Sequence, residues 1–320
     1  MMSSVESGIR YLSRRDVERL VVSAREIADR LETLLVAERA GDAWEAPKSS
    51  IAPGGGRFSL ALLSAAREPS LSVLKTVGLS PDNAARGLPH IGGVIVVHEG
   101  ASGLPIAILD AEHITAVRTA AISLIAARRL ARAESRSIGF IGCGVQAGSH
   151  LDALASELPI GHIVAFSRRR ESAEALCARA RAAGIAGRVA DDAGDTMSAV
   201  DIVVSSIPDQ PGLRPFLDAG RLAPGAFAIG VDLGRSWMSE TFSAFDRVAV
   251  DDLRRHADAP LVTTVPVDTD LVTLIGESRR TDRGARTAFM FRGIGLGDLA
   301  AASICLDRAR DLGIGVMLQR

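Results

Sequence analysis

Residues 137–150 read SIGFIGCGVQAGSH, and the fold turns on them. Ile138–Ile141 make an apolar run of strand type, Gly142 and Gly144 make a turn, and a helix opens on Val145 and Gln146. Gly142, Gly144 and Ala147 match the GxGxxA fingerprint in the context it requires, after a strand and before a helix. Gly142 permits the tight turn, Gly144 lets a pyrophosphate approach the backbone, and Ala147 keeps the helix close to the sheet. The free N–H groups and the dipole at the helix start favour phosphate oxygens. The alternative is a strand–helix joint of the same shape that holds no dinucleotide. Cys143 reads as a small apolar residue that fits the turn.

The end of the next strand, HIVAFS, is the second test. An acidic residue there usually bonds the ribose hydroxyls. This chain has Ser167 followed by Arg168, Arg169 and Arg170. A carboxylate would repel a 2′-phosphate, whereas a serine and guanidinium groups would bind it. Three cations at a helix start also oppose the helix dipole, which an anion would resolve; a solvated helix start is the plainer reading. NADP(H) is expected over NAD(H), with NAD(H) as the alternative.

Further strands follow at DIVVSSI, GAFAIGVD and RVAVDD, alternating with helices such as ESAEALCARARAAG. That alternation predicts an α/β, Rossmann-type doubly wound parallel sheet. Before it, LSRRDVERLVVSAREIADRLETLLVAERA carries apolar residues at helical spacing, with Ser13 and Asp16 as a capping box. A Pro/Gly-rich turn in EAPKSSIAPGGGRFSLALLSA separates two extended pieces. SVLKTVGL, GGVIVVHEG and GLPIAILD read as strands, PDNAARGLPH as a loop, and ITAVRTAAISLIAARRLARA as a long helix. GDLAAASICLDRARDLG is expected to close the chain as a helix.

Length and composition bound the rest. A chain of 320 residues, 47% of them apolar, suits two domains. A net charge of −1 with no basic stripe argues against nucleic acid as a partner. Cys143, Cys177 and Cys305 are far apart, without CxxC spacing, which argues against a disulfide framework or a metal site and fits a reducing cytosol. The first residues lack the apolar core of a secretory signal, and no run reaches the ~20 apolar residues of a membrane span. The expectation is a soluble cytoplasmic protein.

Three charged residues interrupt apolar surroundings. Lys75 breaks a strand, Arg118 breaks an alanine-rich helix, and Asp232 ends GAFAIGVD at the carboxyl edge where doubly wound sheets bind ligands. Each has a bland alternative: a snorkelling lysine, a helix–helix contact, and an N-cap.

These segments together resemble the ornithine cyclodeaminase/mu-crystallin family. ILDAEHITAVRTAAISLIAARRLAR followed by IGFIGCGVQA carries the resemblance, with LKTVGLSPDNAARGLPHIGGVIVVHE, GVDLGRSWMSE and FRGIGLGDLAAA in order around it. It runs from about residue 10 to 317. It implies an α+β substrate-binding and dimerisation domain of residues 1–130, completed by the last helix at about 298–320, with a Rossmann domain at 131–297. It implies a homodimer, and hydride transfer at the α-carbon of a small amino or imino acid. Lys75 and Arg118 match the residues that hold the substrate carboxylate, a sensible pairing of two cations with one anion. Asp232 matches the acidic residue beside the reacting nitrogen, so Asp232 and Lys75 are the candidate catalytic groups. The candidate cofactor set adds Arg118, Thr119, Val145, Gln146, Ser206, Ile207 and Ile229 to Gly142, Gly144, Ala147, Ser167, Arg168 and Arg169.

Four positions depart from the family pattern. Lys48 replaces an arginine at the carboxylate and loses its fork. Ala61 stands where ornithine-cyclising members carry a glutamate, which counts against ornithine. His90 stands near where relatives carry a small hydroxyl; it is a candidate substrate contact or a solvent-facing loop residue. Arg292 falls at the substrate side chain, where it would select a second acidic group. The expected activity is NADP(H)-dependent reduction of a ketimine or pyrroline-carboxylate type imino acid. The alternatives are cyclodeamination of ornithine or a related amino acid, an amino-acid dehydrogenase or reductive-condensation synthase, and a cofactor-dependent binding protein without turnover.

Overall fold

The computed structural model describes residues 8–320 except 90, 209–211, 259, 260, 262, 268 and 281. His90 therefore lies outside the described residues. The chain divides into two units, Met1–Arg118 with Ile294–Arg320, and Thr119–Gly293.

The first unit begins with β1 (Gly8–Leu12), α1 (Arg14–Arg19), α2 (Ala24–Ala40), β2 (Ala43–Glu45), β3 (Ser49–Gly54) and β4 (Arg57–Ala66). It continues through β5 (Leu71–Leu79), β6 (Ile91–Glu99), β7 (Pro105–Asp110) and the start of α3 (Ala111–Leu130). The expected Ser13–Asp16 capping box is present, but the helical spacing covers two helices rather than one. A second capping box, Ser23 with Glu26, starts α2, and Val21 between them takes a φ of 50°, which no helix tolerates. Ile27, Leu31, Leu34 and Leu35 form the buried stripe of α2, and Gly41 ends it in the left-handed conformation. The predicted loop after β5 contains a short 3-10 turn, Pro81–Arg86.

The second unit carries β8 (Ser137–Ile141), α4 (Val145–Ala155), β9 (His162–Phe166), α5 (Arg170–Ala182), β10 (Ala186–Val189) and α6 (Ala193–Met197). It then runs through β11 (Ile202–Ser205), β12 (Phe227–Gly230), β13 (Arg247–Val250), α7 (Leu253–Asp258), β14 (Thr269–Asp270), α8 (Leu271–Ile275) and β15 (Thr287–Met290). Its sheet has the order β10-β9-β8-β11-β12-β15-β13-β14, and every described pairing is parallel. Strands β8, β11, β12 and β15 are buried along their whole length, as parallel strands covered on both faces must be. The chain order reverses between β8 and β11, the switch point outside which such sheets bind ligands.

The chain returns to the first unit with α9 (Leu296–Leu312) and, beyond the expected closing helix, β16 (Val316–Gln319), which pairs antiparallel with β1. Neither short strand shows the alternation that would announce it: β16 is an edge strand exposed along its length, and β1, between β16 and β7, buries only its two end residues. The mixed sheet of this unit runs β16-β1-β7-β6-β5-β4-β2, with β3 on β4. One face buries Leu62, Val73, Ile95, Val97 and Leu109, where each such side chain contributes about 1.5–3 kcal/mol. The opposite face carries one cross-strand row, Leu63–Leu74–Val96–Ile108–Tyr11–Val316, none of it buried within the chain. No described helix is long and apolar enough to cross a membrane.

Candidate functional site

In the second unit the turn after β8 is built from Gly142 outward. Gly142 has a φ of 88°, donates its N–H to Phe166 O at 2.9 Å and accepts from Ser206 Oγ at 3.0 Å. A Cβ there would lie 2.7 Å from Ser206 O, so only glycine fits between β8 and the end of β11. Gly144 caps α4 without a side chain, and the space where its Cβ would stand is open, as close approach of a ligand to the backbone requires. Ala147 is fully buried, Val145 is 70% exposed, and Gln146 has a buried Oε1 with no hydrogen-bond partner. These features fit a dinucleotide phosphate at the head of α4. Cys143 is buried against Phe166 O, and burial pushes its thiol up to about 12, so it packs and does not react.

Ser167 follows the end of β9, with Arg168 and Arg169 exposed beside it. Arg170 is accounted for by ion pairs to Glu174 and Asp191, both at 3.2 Å, so it needs no external anion. Ile207 is half-buried, and Thr119 and Ile229 are buried. Ile229 is wholly enclosed within β12 between Val204 and Phe289, and so backs the sheet.

Behind the turn, His150 lies fully buried. Its Nδ1 is 2.7 Å from Gln146 O, which can only accept, so Nδ1 carries the proton and Nε2 accepts from Ser123 Oγ at 2.8 Å. Burial lowers its pKa to about 4, leaving it neutral. This tie between α3 and α4 had no sequence signal beyond a histidine on an apolar helix face.

Asp232 lies two residues beyond β12 and is 3% exposed. It accepts from Ser205 Oγ at 3.1 Å and Ser236 Oγ at 2.6 Å, while Trp237 Nε1 donates to Ser205 Oγ. Burial raises its pKa against these hydrogen bonds, which suits a group that takes up and releases a proton. Arg292 is exposed after β15, its backbone N–H donating to Asp251. With Asp251, His256 and Leu233 it lines a small cavity of this unit.

In the first unit Lys75 and Arg118 converge on a residue that the sequence reading missed, Asp298, in the first turn of α9. Lys75 Nζ donates to Asp298 Oδ1 at 2.8 Å, and both side chains are 1% exposed. Arg118 Nε lies 3.1 Å from the same oxygen but off the hydrogen-bonding direction. Arg118 Nη1 and Asp298 Oδ2 are buried without hydrogen-bond partners. Lys48 is half-buried between β2 and β3, close enough for its charge to act on Lys75. The missed signal was an acid enclosed by Leu and Ala in GDLAAAS, where a surface helix would carry no such run. Ala61 requires a correction: Leu62 is the residue opposite Lys75, so Ala61 faces the other side of β4 and bears on no diamine.

The parallel sheet, its switch point and the glycine turn define a Rossmann-type α/β protein joined to an α+β unit. The chain belongs to the ornithine cyclodeaminase/mu-crystallin family, whose model matches residues 10–255. A Δ1-pyrroline-2-carboxylate reductase of Burkholderia ambifaria is 33% identical over 282 residues, 86% of this chain and 88% of that protein. An alanine dehydrogenase of Archaeoglobus fulgidus is 30% identical over 258 residues, 76% of this chain and 78% of that protein. Among solved structures, an archaeal alanine dehydrogenase dimer with bound NAD superposes with a TM-score of 0.86 at 25% identity, covering 97% of this chain and 98% of that one.

Proposed function

We propose that this protein is a nicotinamide-dependent oxidoreductase that reduces the C=N bond of a small α-imino acid, with NADP(H) preferred over NAD(H). One observation carries the reading: two buried cations share one carboxylate, and a guanidinium nitrogen is left without a partner. Such a cluster is short of negative charge, and the carboxylate of an amino or imino acid supplies it. The nicotinamide, when bound, supplies the hydride. Lys75, Arg118 and Lys48 hold the substrate carboxylate, and Asp232 handles the proton of the nitrogen. Gly142, Gly144 and Ala147 shape the cofactor site, and Ser167, Arg168 and Arg169 favour the 2′-phosphate. The relatedness to a pyrroline-carboxylate reductase supports the substrate class.

The apolar row on the uncovered face of the mixed sheet supports a homodimer formed through that face, since a strip of six hydrophobic side chains is rarely left to water. The buried free thiols suit a reducing compartment, and the cytoplasm is the proposed location.

The test is NADPH oxidation by the purified protein against a panel of cyclic and acyclic imino acids, with ornithine assayed alongside for ammonia. Turnover of Δ1-pyrroline-2-carboxylate without ammonia release from ornithine is expected; no turnover with any imino or amino acid refutes the reading. Ser167→Asp should move the NADPH/NADH preference toward NADH by about tenfold or more. An unchanged ratio removes the cofactor assignment.

A further inference from the structure

Of the 37 basic residues in the chain only two are lysines: Lys75, bonded to Asp298, and Lys48, near enough for its charge to act on Lys75. The other 35 are arginines, whose guanidinium cannot lose its proton. The cluster thus places a lysine ammonium, the kind of side chain that can lose its proton, beside Arg118, with Asp298 as the acid bonded to it. Asp298 is fixed from two directions. Glu45 Oε2 accepts from Leu296 N at 3.1 Å, and Ser64 Oγ donates to Gly295 O at 3.0 Å, which anchors the first turn of α9 over β4.

We propose that Asp298 is the positioning residue of the substrate-carboxylate site: it holds Lys75 and Arg118 side by side in their charged forms, so that carboxylate binding fails once Lys75 loses its proton. The proposal rests on the reading that Lys75 and Arg118 bind a carboxylate. Two cations buried this close repel each other, and the shared Oδ1 is what offsets that repulsion. The charged groups facing Lys75 are Asp298 from α9, Arg118 from α3 and Lys48 from the β2–β3 connection; its cross-strand neighbours Leu62 and Ile95 carry no charge. Burial pulls the Lys75 ammonium down to about 8, Arg118 and Lys48 push the same way, and Asp298 opposes them. The site is therefore competent below pH 8 and loses its grip above it.

Because there are two lysines, full-length protein labelled with ¹³Cε-lysine gives two side-chain signals, assigned with a Lys48→Arg variant. The Lys75 signal should titrate near pH 8 in the wild type and about one unit or more lower in Asp298→Asn, with partial recovery in Asp298→Glu. In kinetics with Δ1-pyrroline-2-carboxylate, Asp298→Asn should raise KM about tenfold and move its alkaline rise to lower pH, with NADPH affinity unchanged. Should Asp298→Asn not fold, Lys75→Arg keeps the charge and should abolish the rise in KM between pH 7 and 9.5. An identical Lys75 midpoint in wild type and Asp298→Asn, or a wild-type KM that is flat to pH 9.5, overturns the proposal. A shifted midpoint in a protein that turns over no imino acid supports the role of Asp298 and refutes the oxidoreductase reading instead.

Discussion

Lowering the pH should weaken the second unit through a single side chain. His150 is neutral in the folded protein, with a pKa of about 4 against an ordinary value of 6.5. The unfolded chain takes up a proton as pH falls through 6.5, and the folded chain does not until about 4. The stability this site contributes is whole above pH 6.5 and drains away as pH falls toward 4. At 1.36 kcal/mol per pKa unit the loss reaches about 2 kcal/mol at pH 5 and about 3 kcal/mol at pH 4. Replacing His150 with glutamine keeps an amide donor for Gln146 O and an acceptor for Ser123 Oγ but removes the titration. Trp237, buried in the same unit, reports urea unfolding by fluorescence in a Trp44→Phe background. The wild type should lose about 2 kcal/mol more than His150→Gln between pH 7.5 and 5. Parallel pH dependences in the two proteins would refute the buried neutral histidine.

Two further outcomes follow from geometry. Gly142→Ala places a Cβ 2.7 Å from Ser206 O at a φ of 88°; it should cost about 1–3 kcal/mol in unfolding and abolish dinucleotide binding measured by calorimetry. Val96→Arg puts a charge into the middle of the apolar row and should give a folded monomer by sedimentation, whereas an unchanged dimer, or a wild type that is already monomeric, sinks the proposed interface.

The parts of the fold readable from sequence are those whose cause is local. The strand–glycine–helix joint at 137–150 announces itself because Gly142 and Gly144 serve the turn itself. The strands of the second unit read as unbroken apolar runs because helices bury both of their faces. The break at Val21 stayed hidden because α1 and α2 each keep helical spacing, and only the second capping box, Ser23 with Glu26, marks the restart. The facing of Ala61 depends on register, which one residue of slip reverses. The apolar setting of Asp298 in GDLAAAS marks a buried acid, but its partner was not legible: Lys75 lies 223 residues away, and no spacing rule spans that distance.

That separation also bears on the order in which the chain can fold. The unit from Thr119 to Gly293 is continuous, so its sheet can close as soon as β15, the strand between β12 and β13, has been made. The first unit stays unfinished until Ile294–Arg320 arrives, because until then Lys75 has no carboxylate to share its burial and α2 lacks its partner helix. A nascent chain therefore carries a half-covered sheet throughout the synthesis of the second unit, exposed to mispairing until α9 docks. Moving the Ile294–Arg320 segment ahead of β1 by circular permutation would let the first unit close before the second is made.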